Sequence, residues 1–392
     1  NRSSVSISND AALAGADSFR PLDAAVAKAR NATPPAIALV EQKSNSPLVD
    51  VSLLFATGAA HDPEGKSGLA WLTASMLTEG GSAKRSIEEL QQAFYPMASG
   101  FSAQIDKEMV RLSGQVHRDN LEAWYAVVRE MLLTPGFREE DLARLKEQQV
   151  NAIRVNLRAN NDEEFGKEML YERVYGPQHP YGVLSMGHAE DVEALTLEDV
   201  RAFHAANFVP QRLLVGLAGD YPDAFRDRLL RELGTGLPQG ARDLVDAPAV
   251  PRATQRSALV IQKETESVAV SFGWPIDVRR GHPDWVALWL VRSYLGEHRN
   301  SSALLYNAIR EARGMNYGDY AYIEYFPYGM YRMQPEPNFA RDNDLFQVWL
   351  RPLRSNNDAL FATRTALYEI DQLVENGMTA AEFEASRDFL RK

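Results

Sequence analysis

The sequence predicts an α+β protein built as two related domains. Two observations carry this. Short apolar and β-branched runs bounded by turn residues alternate with amphipathic stretches along most of the chain. A strand–helix–helix segment of the first half also recurs in the second half, beyond a stretch rich in Gly, Pro and Ala. The 392 residues are enough for two such domains with sizeable cores.

Residues 1–20 read as a flexible polar lead, and 21–235 as the first domain. Residues 36–42 (AIALVEQ) and 49–57 (VDVSLLFAT) are predicted strands, followed by helices over 67–78 and 86–95. Ser86 with Glu89 three residues on forms a capping box. Residues 101–116 (FSAQIDKEMVRLSGQV) alternate as a strand pair does. Residues 119–133 are a strongly amphipathic helix capped by Asp119 or Asn120. The next helix, 137–159, is long and charged, with Leu142, Leu145 and Val150 on its buried stripe. A helix over 196–208 opens with Thr196 as N-cap and Asp199 three on, and RLLVGLAGD (212–220) closes the half as a strand.

Residues 236–257 read as the linker and 258–392 as the second domain. There ALVIQ (258–262) and SVAVSFGW (267–274) are predicted strands, and 284–295 and 302–312 helices. Residues 317–326, 330–336 and 345–353 are strand-like, and helices follow over 359–377 and from 379 onward. Residues 115–148 match 353–390 in pattern: strand end, Asn/Asp cap region, long helix, turn, second capped helix. In the first half further elements follow that pair. In the second the sequence stops within the second helix, so the second domain is expected to be truncated.

A net charge of -11 argues against nucleic acid as a main partner, since a phosphate-binding surface needs excess Lys and Arg. With no cysteine there is no disulfide, thiolate zinc site or Cys nucleophile. That usage, and a start at Asn1, fit a periplasmic protein after signal-peptide removal, with a cytoplasmic location as the alternative. No apolar run approaches the ~18–20 residues needed to span a bilayer.

The stretch GLAWLTASMLTEGG (68–81) poses the central question. Trp71, Ala74 and Ser75 share one face of its helix, and that face carries no acid, base or metal ligand. The seven histidines are His61, His117, His179, His188, His204, His282 and His298, and none falls in H-E-x-x-H or H-x-x-E-H. His179, before Pro180 in a turn, and His204, on an amphipathic helix, read as surface or capping residues. No phosphate-binding loop, dinucleotide turn or nucleophile elbow is present.

Four stretches in order resemble the M16 peptidases, the family of pitrilysin, insulin-degrading enzyme and the mitochondrial processing peptidase subunits. They are GAAHDPEGKSGLAWLTASMLTEGG (58–81), HPYGVLSMG (179–187), LTLEDVRAFHAANFVPQRLLVGLAGD (195–220) and SSALLYNAIREARGMNYGDYAYIE (301–324). The resemblance implies a LuxS/MPP-like metallohydrolase fold, each domain a mixed, mainly antiparallel sheet with helices on one face. In active members GLA is followed by H-x-x-E-H. The two His bind zinc, the Glu is the general base on zinc-bound water, and a carboxylate from a later helix completes the ligands. Here those positions hold Trp71, Ala74 and Ser75, and the third-ligand region reads Val150-Asn151-Ala152, with Glu147 one turn away. The resemblance therefore implies no metal in this chain.

AIREARGMNYGDY keeps a feature of the family: an Arg and, seven residues on, a Tyr that project toward the zinc site. They match Arg310 and Tyr317. A Tyr hydroxyl can donate to the oxyanion of peptide hydrolysis, and a guanidinium can hold a neighbouring substrate carbonyl. Read from spacing alone, Arg310 equally suits a salt bridge to a nearby acid, and Tyr317 is one of several strand tyrosines. The combination resembles the non-catalytic subunit of a heterodimeric M16 zinc peptidase. Such a chain has no peptidase activity alone. It shapes the peptide chamber and supplies Arg310 and Tyr317 in trans to a subunit that carries H-x-x-E-H and the zinc. The implied partners are that subunit and an unfolded peptide, with a homodimer as an alternative assembly. The rival reading is a structural or peptide-binding scaffold with no part in catalysis.

Overall fold

The computed structural model describes residues 37–242, 247–250, 255–298, 300–326 and 338–391. The lead over 1–20, parts of the linker and the whole of the strand-like 330–336 lie outside the described residues. Chain order is β1 (Ala38–Lys43), β2 (Leu48–Phe55), α1 (Leu69–Glu79), α2 (Ile87–Phe94), β3 (Ser102–Ile105), β4 (Val110–His117), α3 (Leu121–Leu133), α4 (Glu139–Asn151), α5 (Asp162–Tyr175), α6 (Ala189–Ala194), α7 (Leu197–Asn207), β5 (Leu213–Gly219) and α8 (Asp223–Gly236). Beyond the linker come β6 (Val268–Ile276), α9 (Trp285–Gly296), β7 (Gly318–Tyr322), β8 (Asp344–Leu353), α10 (Asn356–Asn376) and α11 (Ala380–Arg391).

These elements gather into two compact units. One holds the chain up to Ile153 together with Leu184–Asp246; the other holds Arg154–Val183 with Ala247 onward. The division differs from the 21–235 and 258–392 boundaries read from the sequence, because α5 groups with the later unit.

The first unit is a five-stranded sheet of order β1-β5-β2-β4-β3, parallel at β1–β5 and antiparallel elsewhere. The alternation of β2 explains its orientation. Val49, Val51, Leu53 and Phe55 are buried against the helices, and each such side chain contributes about 1.5–3 kcal/mol by leaving water. The intervening Asp50 and Ser52 accept hydrogen bonds from Gln115 Nε2 and Arg111 Nε, each 2.9 Å. Helices on one face and a polar opposite face follow from that period. The capping boxes of α2 (Ser86, Glu89) and α7 (Thr196, Asp199) are both formed. At α3, Asn120 occupies the N-cap without a side-chain cap bond. On α4 the buried stripe runs through Leu142, Leu145 and Gln149, while Val150 is half-buried.

The later unit has a three-stranded antiparallel sheet of order β6-β8-β7, which repeats the order β2-β4-β3. The chain then continues into α10 and α11 as the first half continues from β4 into α3 and α4, so the repeat in sequence is a repeat in topology. One face of the sheet is apolar: Ala321, Phe346, Val348 and Leu350 pack with Leu295, Ala359, Ala362 and Ala366. The other face carries Tyr320, Tyr322, Gln347, Trp349 and Arg351 and meets α5. There Lys167 is buried, held by Glu163 and Glu164 at 2.7 Å each, with Nζ 3.8 Å from the Trp349 ring centroid. Arg351 pairs with Glu163 at 2.5 Å, and Gln347 Nε2 donates to Tyr171 Oη at 2.8 Å. Buried charges persist in pairs because an unpaired one is costly.

The strand expected at ALVIQ is not formed: residues 258–262 run as irregular chain, with Leu259, Val260 and Ile261 exposed. Among the described residues nothing pairs with them, and an extended run without a partner satisfies none of its ladder hydrogen bonds.

His179 and His204 are buried, against the surface or capping roles expected. His179 Nδ1 accepts from Tyr181 N at 3.0 Å, which leaves Nε2 to donate to Pro248 O at 2.9 Å. His204 lies between the rings of Phe137 and Phe208, with Nε2 free of any hydrogen bond. Burial pushes its pKa down to about 4. The unfolded chain takes up this proton near pH 6.5 and the folded one only near 4, so its contribution is complete above 6.5 and is lost as pH falls toward 4. The effect is about 3 kcal/mol at full extent. Urea unfolding at pH 7.5 and 4.5 isolates this effect by difference: relative to the unsubstituted chain, His204→Phe should gain about 2–3 kcal/mol at pH 4.5 over pH 7.5.

Candidate functional site

The first part of the candidate site is the start of α1. Gly68 sits at the N-cap with φ +87°, where an L side chain is strained. A Cβ there would lie 2.4 Å from Met186 O, so the loop before α6 passes too close for any other residue. Asp62 covers the first turn: Oδ2 accepts from Gly68 N and Oδ1 from Ala70 N, each at 2.7 Å. Ser67 Oγ donates to Asp191 at 2.6 Å and accepts from His188 N at 2.8 Å. Gln149, from α4, donates through Nε2 to Gly68 O (3.0 Å) and Met186 O (2.8 Å). The sequence pattern did not single out Gln149, because an amide on a predicted apolar stripe looks like an exception to it.

The helix held so firmly presents Trp71 and Ser75 half-exposed on one side, with Ala74 fully buried beside them. An indole, a methyl and a hydroxyl do not form a zinc donor set. Glu147 is exposed, and the carboxamide of Gln149 is already committed to two carbonyls. Among the described residues no cluster of three or more His, Asp or Glu could hold a metal ion. The residues at α1 do not fit the zinc that active relatives of this fold carry.

The second part is Arg310 and Tyr317, which the structure brings together. Arg310 lies in the π-helical turn Tyr306–Glu311, Gly314 turns the chain with φ +58°, and Tyr317 immediately precedes β7. The guanidinium lies 4.9 Å from the Tyr317 ring centroid and 4.7 Å from that of Tyr306. Its Nη1 donates to Tyr306 Oη at 2.6 Å. Among the described residues Arg310 has no ion pair, and Nε and Nη2 donate to nothing. The simple salt bridge allowed by the sequence is thus absent from those residues. Tyr317 is 63% exposed, and Arg310 beside it is half-buried. Tyr306 was not anticipated; its only signal is the i, i+4 spacing to Arg310.

The profile described as Insulinase (Peptidase family M16) matches residues 37–180, and that described as Peptidase M16 inactive domain matches residues 194–390. The chain belongs to the M16 peptidase family. A Helicobacter pylori protein named non-peptidase homolog YmxG is 22% identical over 355 residues, which is 90% of this chain and 76% of that protein. An uncharacterized zinc protease of Mycobacterium tuberculosis is 25% identical over 244 residues, and the match spans 62% of this chain and 54% of that relative's length. The fold is that of a solved peptidase M16 inactive domain from Pseudomonas fluorescens, with TM-score 0.77 at 23% identity over 90% of this chain and 80% of that one.

Burial raises the Asp62 carboxyl to about 7, against the opposing pull of its two amide bonds and of Lys107. An acid raised in this way contributes stability that is complete below about pH 4 and is lost as pH rises through 7, the reverse of His204. Asp62→Asn should remove its share of that downward slope in a pH series of unfolding midpoints; the buried Asp319 carboxyl, also raised to about 7, supplies the rest. Asp62→Ala, which removes the cap outright, should cost about 1–2 kcal/mol.

Proposed function

We propose that this chain is the non-catalytic subunit of an M16 peptidase pair, and that it offers Arg310 and Tyr317 to a peptide held for a zinc-bearing partner. The observation that carries the reading is Arg310. It lies half-buried against two tyrosine rings and, among the described residues, keeps donors unspent, in a chain whose α1 lacks every zinc ligand. The name of the Helicobacter pylori relative and the description of the second profile support the non-catalytic half of this reading.

The chemistry follows from the groups. Attack on a peptide carbonyl places negative charge on its oxygen, and a preorganised phenol can donate to it. Two ring faces 4.7 and 4.9 Å away hold the guanidinium by cation–π attraction, so little reorganisation is needed when a substrate carbonyl takes up Nε or Nη2. The zinc and the general base would come from the partner, so neither chain would cleave alone.

The purified chain alone should bind no stoichiometric zinc and cleave no quenched unfolded peptide. Mixed with an H-x-x-E-H protein that co-purifies with it, the pair should cleave in a chelator-sensitive way. In the pair, Arg310→Ala and Tyr317→Phe should each lower kcat/KM about 100-fold. Chelator-sensitive cleavage by the chain alone would overturn the assignment of α1. A pair indifferent to both substitutions would make the chain a scaffold.

A further inference from the structure

We propose that Asn316 and Asp319 are positioning residues that hold Tyr317 and Arg310 in register, an inference that rests on the peptide-binding role of that pair. Asn316 Nδ2 donates to Asp319 Oδ1 at 2.6 Å and to Gly318 O at 3.2 Å, closing a clip around the residue that follows Tyr317. On one side of the clip Met315 is buried in the apolar core. On the other, Tyr317 N donates to Arg351 O at 3.2 Å, which locks the backbone to β8. Between these fixed points the Tyr317 ring stands with its centroid 4.9 Å from the Arg310 guanidinium.

Asp319 is unusual for its place. It is almost completely buried in β7, its backbone opposite Leu350, and Oδ2 has no hydrogen-bond partner among the described residues. An apolar residue would suit that strand position better, since an acid buried without an ion pair works against folding. What the acid gains is the Asn316 clip and the attraction of Arg310, the one cation whose charge opposes its burial. A buried acid that attracts the guanidinium without bonding to it favours its place beside Tyr317 and leaves Nε and Nη2 unused.

A purely structural role for the clip would alter stability and leave Arg310 untouched. The test therefore reads Arg310 directly. Two tyrosine rings shift the Nε–H proton of Arg310 in the NMR spectrum, and Arg310→Lys assigns the signal. In Asn316→Ala and Asp319→Asn this proton should move toward its position in an unstructured peptide, measured at a temperature where each variant is folded. Affinity for a fluorescein-labelled unstructured peptide should fall about tenfold in both, as in Arg310→Ala. Should Asp319→Asn fail to fold, Asn316→Ala decides, because its side chain lies in a half-buried turn. An unmoved Nε–H signal in Asn316→Ala overturns the proposal, as does unchanged affinity there when Arg310→Ala loses binding. If the signal moves but no variant, Arg310→Ala included, changes peptide affinity, the positioning stands and the peptide-binding role fails.

Discussion

The first sheet depends on β5. A strand is stable only when its backbone groups are paired, and β5 pairs on both sides: parallel with β1 from Ala38↔Leu214 to Lys43↔Gly219, antiparallel with β2 from Asp50↔Ala218 to Phe55↔Leu213. The chain shows what this is worth in two nearly identical hexapeptides. Residues 38–43 read ALVEQK and residues 258–263 read ALVIQK. Each precedes a strand by the same interval, β2 at 48 and β6 at 268. The first is β1. The second, with the more β-prone sequence, is irregular and exposes Leu259, Val260 and Ile261. Local propensity is equal or better in the copy that fails, so the long-range partner decides.

That pair also shows which features were legible in the sequence. Helices α2 and α7 were, because their caps are local: a Ser or Thr and an acid three residues on. β2 was, because its period of two marks the buried face. What a one-dimensional pattern cannot give is the identity of a partner. The crossing of α5 into the later unit, the burial of His204 between two phenylalanines, and the two carbonyls taken by Gln149 are all decided by distant residues. Each looks like an exception to its local pattern, and each is explained by what lies against it.

The site was legible in a similar proportion. The absence of zinc ligands at Trp71, Ala74 and Ser75 is a matter of residue identity and needs no structure. The structure adds that the support of the helix remains. Gly68 with its positive φ, the Asp62 cap, the Ser67–Asp191 bond and the Gln149 brace all hold α1 in place. These groups serve the docking of the helix on the sheet and against its neighbours. Chemistry at three side chains can therefore change without loosening the element that carries them, since none of the three takes part in that bracing.

Charge pairing in the later unit contrasts with the setting of Arg310. Arg280 meets Glu324 through two bonds of 2.8 and 2.9 Å, Arg292 meets Glu297 at 2.8 Å, and Arg351 meets Glu163 at 2.5 Å. In each case a carboxylate takes the guanidinium's hydrogen bonds, and the positive charge is spent on the fold. Arg310 is held instead by ring faces and one phenol, groups that fix its position and leave most of its hydrogen-bonding capacity in hand. A fold that needed only a cation there could have supplied a surface carboxylate at little cost. Contact with two rings and one phenol fixes the position of the guanidinium as an ion pair would and leaves it the donors of a free arginine, which is what the proposed substrate contact rests on.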